Sequence, residues 1–317
     1  MTYAVVGLML GVAIAFGQAF FRDAMDRRLT GIGELESVLG APVMSVIPRR
    51  KGSTKTGKEG IVFLTDPTDP VSEGYRTLRT GLLFALGGET GRAVMITSAS
   101  EGEGKSTTAV NLAVALAQSH VPVALVDADL RRPSLHRFFA VPVAPGLIDL
   151  LRGETDLGSA LVDVGVARLR FLPAGVVVAE TPELFSSTNL ASMIERLKEI
   201  GTMVIVDTPP LIISDPLALA PYMDGVLIVA DSSAVTAEGI GPLIERLHMV
   251  GGHVIGGVLN KYDTRTSRGY ASEYGYGTYG QTQVEPRRRP PAKSKRQLRV
   301  ARAPDEARSA PGFPRAG

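Results

Sequence analysis

Apolar and polar positions along this chain fall into blocks with different rhythms. Residues 1–21, MTYAVVGLMLGVAIAFGQAFF, carry no charge, and Gln18 is the single strongly polar side chain after Tyr3. As a helix rising ~1.5 Å per residue, such a run is roughly 30 Å long, the thickness of a bilayer's hydrocarbon layer, so it predicts a transmembrane helix. A secretory signal peptide would open on basic residues, which this run lacks. Arg22, Arg27 and Arg28 follow it, which by the positive-inside bias places the rest of the chain on the cytoplasmic side. Residues 22–70 read as a juxtamembrane linker. Within it lie a short amphipathic helix (Ile32, Leu35, Val38, Leu39), a turn at Gly40–Pro42, a strand ending at Pro48 and a flexible polar stretch, RRKGSTKTGKEG. From about residue 90, short apolar runs alternate with helical stretches: AVMIT, PVALVD, LRFLP, MVIVD, GVLIVAD and HVIGGVLN. That alternation predicts an α/β domain over 71–261, a mostly parallel, buried sheet flanked by helices. No internal repeat is evident.

After Lys261 the periodicity stops. Residues 262–280 hold five of the chain's eight tyrosines (Tyr262, Tyr270, Tyr274, Tyr276, Tyr279) on a thread of glycine and small polar residues. Glycine this dense loses too much backbone entropy on folding to build a helix or core strand, so these phenols are expected to be exposed. Residues 281–317 carry ten Lys/Arg against three Asp/Glu and read as a basic disordered tail. The formal net charge of +2 is thus a tail at +7 set against −5 for the rest. A uniformly basic nucleic-acid binder is not the first reading, although tyrosines beside RRRPPAKSKRQLR would also suit stacking on a single strand. The tail's basic residues equally suit an anionic membrane leaflet. The absence of cysteine excludes a disulfide framework and a cysteine-zinc site. His120, His136, His248 and His253 show no metal-ligand spacing.

The chemistry concentrates after the run AVMIT. Ala99 to Ser106 reads A-x-x-x-x-G-K-S, a phosphate loop set between a predicted strand and a predicted helix, the context the motif needs. Gly102, Glu103 and Gly104 supply backbone N–H groups for phosphate oxygens, and the helix start adds its partial positive charge. Lys105 would reach the β and γ phosphates, and the Ser106 hydroxyl, with Thr107 beside it, would serve the nucleotide and Mg²⁺. Asp127 and Asp129 end one strand and Asp207 another, so three carboxylates converge beyond the carboxyl ends of the sheet, where open α/β sheets bind ligands. Three such groups suit holding Mg²⁺ and handling a proton, while helix capping is the plainer alternative for Asp127 or Asp129 singly. Asn260 opens LNKYD, which mimics a guanine-reading N-K-x-D motif.

The loop SASEGEGKST, the second Walker motif VALVDADLR and the Walker B strand MVIVDTPP resemble those of the bacterial tyrosine kinases (BY-kinases) of capsule and exopolysaccharide production. PVSEGYRTLRTGLLF and LPAGVVVAETPELFSS add family-specific likeness, which runs from about Asp23 to Lys261. The resemblance implies ATP and Mg²⁺ as cofactors, Lys105, Asp127, Asp129 and Asp207 as catalytic residues, and Ser106, Asp127 and Asp207 as metal contacts. Asp127 matches the aspartate that helps deprotonate a tyrosine, and Asn260 becomes a base contact for ATP rather than GTP. The five tyrosines become acceptors for autophosphorylation within a ring. Glu73, Arg76 and Arg79 match the E-x-x-R-x-x-R helix through which rings form; their spacing alone puts them on one helix face, which also suits a solvated ion-pair face. The first helix with DRRLTGIGELESVLGAPVMSVIP looks like the exit from the membrane of a polysaccharide co-polymerase. A further span and a large external domain would then be supplied by a partner or by a longer chain. A single-pass inner-membrane location, an activator membrane protein and a cognate tyrosine phosphatase follow as expected partners, with no nucleic acid. Glu101 departs from the family's small or proline residue, and its charge weakens nucleotide binding unless it points away. A partitioning-type ATPase is the alternative, but it carries a signature lysine where this chain has Ser100.

Overall fold

The computed structural model describes residues 29, 31–50, 57–176, 188–199 and 202–263, with Gly7, Gly11, Gly17 and Gln18 as isolated positions before them. The predicted membrane helix, Tyr270, Tyr274, Tyr276 and Tyr279, and the basic tail lie outside the described residues. Among the described residues no helix is long and apolar enough to cross a membrane.

All six apolar runs are strands. In chain order the elements are α1 (Ile32–Leu39), β1 (Val43–Pro48), α2 (Val62–Thr65), α3 (Pro70–Ala85), β2 (Ala93–Ser98), α4 (Lys105–Gln118) and β3 (Val123–Asp127). There follow α5 (Leu135–Phe139), α6 (Leu147–Leu151), α7 (Leu157–Ala160), β4 (Val162–Asp163), β5 (Leu169–Leu172) and α8 (Thr188–Glu199). The chain continues through β6 (Met203–Asp207), α9 (Asp215–Leu219), β7 (Gly225–Asp231), α10 (Ala237–Met249) and β8 (Val254–Tyr262). The strands form one sheet in the order β1-β8-β7-β2-β6-β3-β5-β4, parallel throughout except where β4 closes the edge against β5. Parallel strands are covered on both faces, which is why they read as unbroken apolar runs. Alternate side chains divide between two cores: Met95, Val204 and Val206 face α1, α6, α8 and α10, whereas Val94, Ile96, Met203 and Ile205 face α2 to α5. Capping fixes where helices begin. Asp69 accepts the Val71 N–H at 2.9 Å beside Pro70, and Thr236 accepts the Gly239 N–H at 3.1 Å.

Two expectations are corrected. Residues 22–70 are not merely a linker ahead of a domain starting at 71. The predicted helix and strand exist, but β1 is hydrogen-bonded along β8 as the sheet's outermost parallel strand, and Leu29, Leu35, Leu39, Val46, Ile47, Ile61, Val62 and Phe63 are buried in the two cores. The paired glycines of HVIGGVLN make the close fit: a Cβ on Gly256 would lie 2.6 Å from Met44 Cε, and one on Gly257 2.6 Å from Leu39 Cδ1. Tyr262, grouped with the exposed tyrosines, is the last residue of β8 and only 8% exposed. Its carbonyl accepts the Arg49 N–H at 2.9 Å, so strand pairing with the β1 end holds it in the fold.

Candidate nucleotide and phosphoryl-transfer site

The phosphate loop occupies the turn from β2 into α4, the strand–loop–helix setting its sequence requires. Gly102 and Gly104 have φ of 80° and 101°, a backbone region that suits glycine alone among common residues. A Cβ on Gly104 would also lie 2.1 Å from Asn260 Nδ2. Three side chains shape the loop through its own backbone. Glu103 is 4% exposed, and its carboxylate accepts the Ser100 N–H at 3.0 Å; burial pushes its pKa up. Asn260 Nδ2 donates to the Glu103 carbonyl at 2.8 Å. Lys261 Nζ donates to the Gly102 carbonyl at 2.5 Å and pairs with Asp231 at 2.7 Å. The LNKYD residues therefore buttress the loop from β8. Glu101, the departure from the family pattern, forms an exposed ion pair with Arg132, which offsets its charge.

Lys105 heads α4 and is 9% exposed. Its Nζ lies 2.7 Å from Asp129 Oδ2 and 3.4 Å from Ser106 Oγ. Burial alone would depress its pKa, but the charges of Asp207, Asp129 and Asp127 outweigh that and raise it. Asp127 and Asp207 are direct neighbours in the β3–β6 register, and both are fully buried. Asp127 Oδ2 accepts the N–H groups of Ser134 and Leu135 at 3.1 and 3.0 Å, and Oδ1 that of Asp129 at 3.3 Å. The capping alternative is thus realised at Asp127, which ties down the start of α5. Burial, then the Asp207 charge, push its pKa up to about 8 despite those N–H groups. Burial likewise lifts Asp207 to about 6, held back by the Lys105 charge and the Ser106 hydroxyl. Asp129 Oδ1 accepts the Arg132 N–H at 3.1 Å, leaving its other oxygen on Lys105.

Neither carboxylate oxygen of Asp207 has a partner of normal hydrogen-bond geometry among the described residues. Buried polar atoms are ordinarily satisfied, and an orphan pair is a place for an ion. With the Ser106 hydroxyl beside it, this hard-oxygen set fits Mg²⁺. Ser106 and Asp207 are the residues that would hold the ion, with Asp127 alongside, although its oxygens already serve backbone donors.

A cleft of about 550 Å³ opens next to Gly102, Gly104, Lys105, Ser106 and Thr107, and Asn260 also lines it. Its other wall was not anticipated: Pro48, Arg49 and Arg50, at the end of β1, line the same cleft. The signal was the PRR at the end of a predicted strand, which would have pointed here once that strand was paired with β8. A second unforeseen element is Arg131, whose Nε and Nη2 donate to Asp215 at 2.8 and 3.1 Å. The ring-helix residues lie elsewhere, on α3. Arg76 pairs with Glu73 at 2.9 Å and donates to the Pro67 carbonyl, and Arg79 reaches the Ala115 carbonyl at 3.4 Å.

The raised carboxyl groups make the nucleotide-free protein pH-sensitive in a definite direction. A folded-state pKa above the unfolded value means the folded protein holds its proton more tightly. That contribution to stability is complete below about pH 4 and is lost as pH rises through about 6 and 8. The melting temperature, measured by scanning calorimetry at constant ionic strength, should therefore fall between pH 5 and 8.5. Asp127→Asn should flatten that slope, and an equally steep decline in the variant would contradict the assignment.

A phosphate loop on a parallel sheet, a buried lysine at its helix head and carboxylates at the ends of two neighbouring strands define a P-loop nucleotide-binding protein of α/β type. The family model ParA (NUBPL iron-transfer P-loop NTPase) matches residues 89–291. Tyrosine-protein kinase YwqD of Bacillus subtilis is 34% identical over 72% of this chain and 94% of its own length. Tyrosine-protein kinase ptk of Acinetobacter johnsonii is 30% identical over 84% of this chain, which spans only 37% of that protein. The solved kinase domain of Escherichia coli tyrosine kinase ETK superposes with a TM-score of 0.66 at 30% identity, covering 74% of this chain and 96% of that one. The chain belongs to the bacterial tyrosine-protein kinases.

Proposed function

We propose that this chain is an ATP-dependent protein-tyrosine autokinase that phosphorylates its own tyrosine segment, in trans within a ring of copies, and so regulates polymerisation and export of a capsular or exopolysaccharide. The observation that carries this is the buried Asp127–Asp129–Asp207 cluster closed around Lys105 at the head of the phosphate loop. Phosphoryl transfer asks chiefly for positioning and charge neutralisation. The loop N–H groups and Lys105 would hold the β and γ phosphates, releasing Asp129 from its contact with the lysine. Mg²⁺, when bound at Ser106 and Asp207, supplies further neutralisation of phosphate charge. As the γ-phosphorus bond to the ADP oxygen breaks and the bond to the phenol oxygen forms, the phenol proton passes to Asp127. The proton is accepted by the ionised form of Asp127, so with its pKa pushed up to about 8 the fraction able to act as base grows as pH rises towards and past that value.

The acceptors are Tyr270, Tyr274, Tyr276 and Tyr279; Tyr262 is excluded by its place in β8. Ring assembly through Glu73, Arg76 and Arg79, an inner-membrane anchor at residues 1–21, a membrane co-polymerase or activator and a cognate phosphatase belong to the same reading. Family membership, Ser100 in place of the partitioning ATPases' lysine and the tyrosine-rich segment support it over a plain ATPase. Incubating the chain with Mg²⁺ and ATP or GTP, alone and with a membrane activator, and mapping phosphotyrosine tests it. Phosphate is expected on the four tail tyrosines, with ATP preferred and Tyr262 unmodified. ATP binding without any phosphotyrosine would overturn the proposal.

A further inference from the structure

Every residue of α4 from Thr108 to Ala117 is buried, and all but Thr108 and Asn111 are apolar. Asn111 stands in the middle of that run with none of its surface exposed. An amide there costs free energy unless its hydrogen bonds are made, and asparagine is a poor helix former besides. Asn111 makes three bonds. Its Nδ2 donates to the Thr107 carbonyl one turn back at 2.9 Å and to the Gly60 carbonyl at 3.0 Å. Its Oδ1 accepts the Val62 N–H at 2.8 Å. The partners fix which way the amide faces, because turning it over would set N–H against N–H. The side chain thus grips the backbone on both sides of Ile61 and ties it to the residue that follows Lys105 and Ser106.

The gripped segment is not part of the sheet. Its own backbone bonds are short turns: the Gly60 N–H to the Gly57 carbonyl at 2.8 Å, Ile61 to Lys58 at 3.1 Å and Leu64 to Ile61 at 3.0 Å. Such turns set the segment's shape but not its distance from α4. Ile61, Val62 and Phe63 are buried, yet apolar packing is non-directional, whereas the amide sets a definite register. That register matters because Glu59, Gly60 and Val62 line the same cleft as Gly104, Ser106 and Thr107. The phosphate-loop helix supplies part of that lining and this segment another part, and Asn111 bridges them. Phosphate oxygens are taken by the loop N–H groups and Lys105, so the segment's share of the lining is left for the nucleoside.

We propose that Asn111 is a positioning residue for the nucleotide: by clamping Gly60 and Val62 to α4 it sets the cleft to the ribose and base, while the phosphate loop takes the triphosphate unaided. The assignment rests on the nucleotide-binding part of the proposed function and not on the identity of the acceptor.

The test titrates the full chain calorimetrically, in Mg²⁺, with ATP and separately with inorganic tripolyphosphate, which carries the phosphates without a nucleoside. The parent should bind ATP more tightly. Asn111→Ala should weaken ATP about tenfold, the scale of one or two lost buried hydrogen bonds, and leave tripolyphosphate within about twofold. A merely structural role would instead lower the number of competent sites at unchanged Kd. Val62→Pro breaks the clamp from the other side. It deletes the donor at the first position of α2, after an extended Ile61, where proline is otherwise accepted. It should give the same split, and the double variant should stay within about twofold of the worse single one, since both remove one contact. Should Asn111→Ala not fold, Val62→Pro carries the test; failure of both to fold would make Asn111 a folding residue and overturn the positioning role. ATP affinity within about twofold of the parent, an equal loss for tripolyphosphate, or additive losses near a hundredfold in the double variant overturn it too. A parent that binds tripolyphosphate as tightly as ATP overturns the clamp alone, and one that binds no ATP overturns both readings. The split in ATP binding without any phosphotyrosine would overturn the autokinase proposal and leave the clamp standing.

Discussion

Replacing Lys105 by methionine should lower the rate of phosphotyrosine formation by roughly 10³-fold, the scale on which one preorganised donor to transition-state charge acts. A residual rate above about one tenth would contradict the role. The same substitution has a second, separable effect, because Lys105 is also the cation of a buried carboxylate cluster. Removing one partner of a buried pair costs about 3–5 kcal/mol through the charge left behind. Lys105→Met should therefore melt well below the parent at pH 8. The gap should close as pH falls, since Asp207 and its neighbours can take up protons. Lys105→Arg separates the two roles. It returns a cation to the cluster and should recover most of the stability, but its longer planar head does not reproduce the geometry of the ammonium, so the rate stays low. Calorimetry and phosphotyrosine assay on the same three proteins read the two effects independently.

A chain beginning at residue 71 should fail to fold, whereas one beginning at residue 29 should give a cooperative thermal transition. The shorter form loses eight buried apolar side chains, each contributing roughly 1.5–3 kcal/mol as an upper estimate, against a net domain stability of only about 5–15 kcal/mol. It also uncovers the edge of β8 from Gly257 to Tyr262, whose unpaired N–H and C=O groups form an open edge of the kind that aggregates. The chain-entropy gain from deleting those residues does not compensate, because the surfaces they covered on β8, α3 and α4 remain. A cooperative melt of the residue-71 form at the temperature of the residue-29 form would show that β1 and α1 are dispensable.

The same segment shows where sequence reading reached its limit. Local signals were plain enough to give α1, the Gly40 turn and β1, because each depends on neighbours in the chain: Gly40 closes α1 in the left-handed conformation with its N–H on the Glu36 carbonyl. Membership of the sheet depends on β8, more than two hundred residues later, and no local pattern encodes that pairing. Tyr262 reads as part of the tail for the same reason, since its sequence neighbours are tail-like but its partner is the β1 end. The phosphate loop and the three carboxylates were legible because strand ends place them together in any sheet of this type. What Asp127 and Glu103 do with their oxygens was not, because capping α5 and bracing the loop are decided by backbone folded back from elsewhere. Arg131 and Asp215 form another contact of this sort, two unremarkable charges 84 residues apart.

The end of β8 has one more consequence, which is a matter of leash length. Asp263 is the last described residue beyond that strand, at the edge that carries the phosphate loop. Seven peptide steps separate it from Tyr270 and sixteen from Tyr279. A fully extended chain spans at most ~3.6 Å per residue, so the first tyrosine is confined within about 25 Å of that point and the last within about 58 Å. The accessible volumes differ about twelvefold. Under the proposed function, the outermost tyrosine has by far the larger range for meeting a neighbouring copy, and Tyr270 has the smallest.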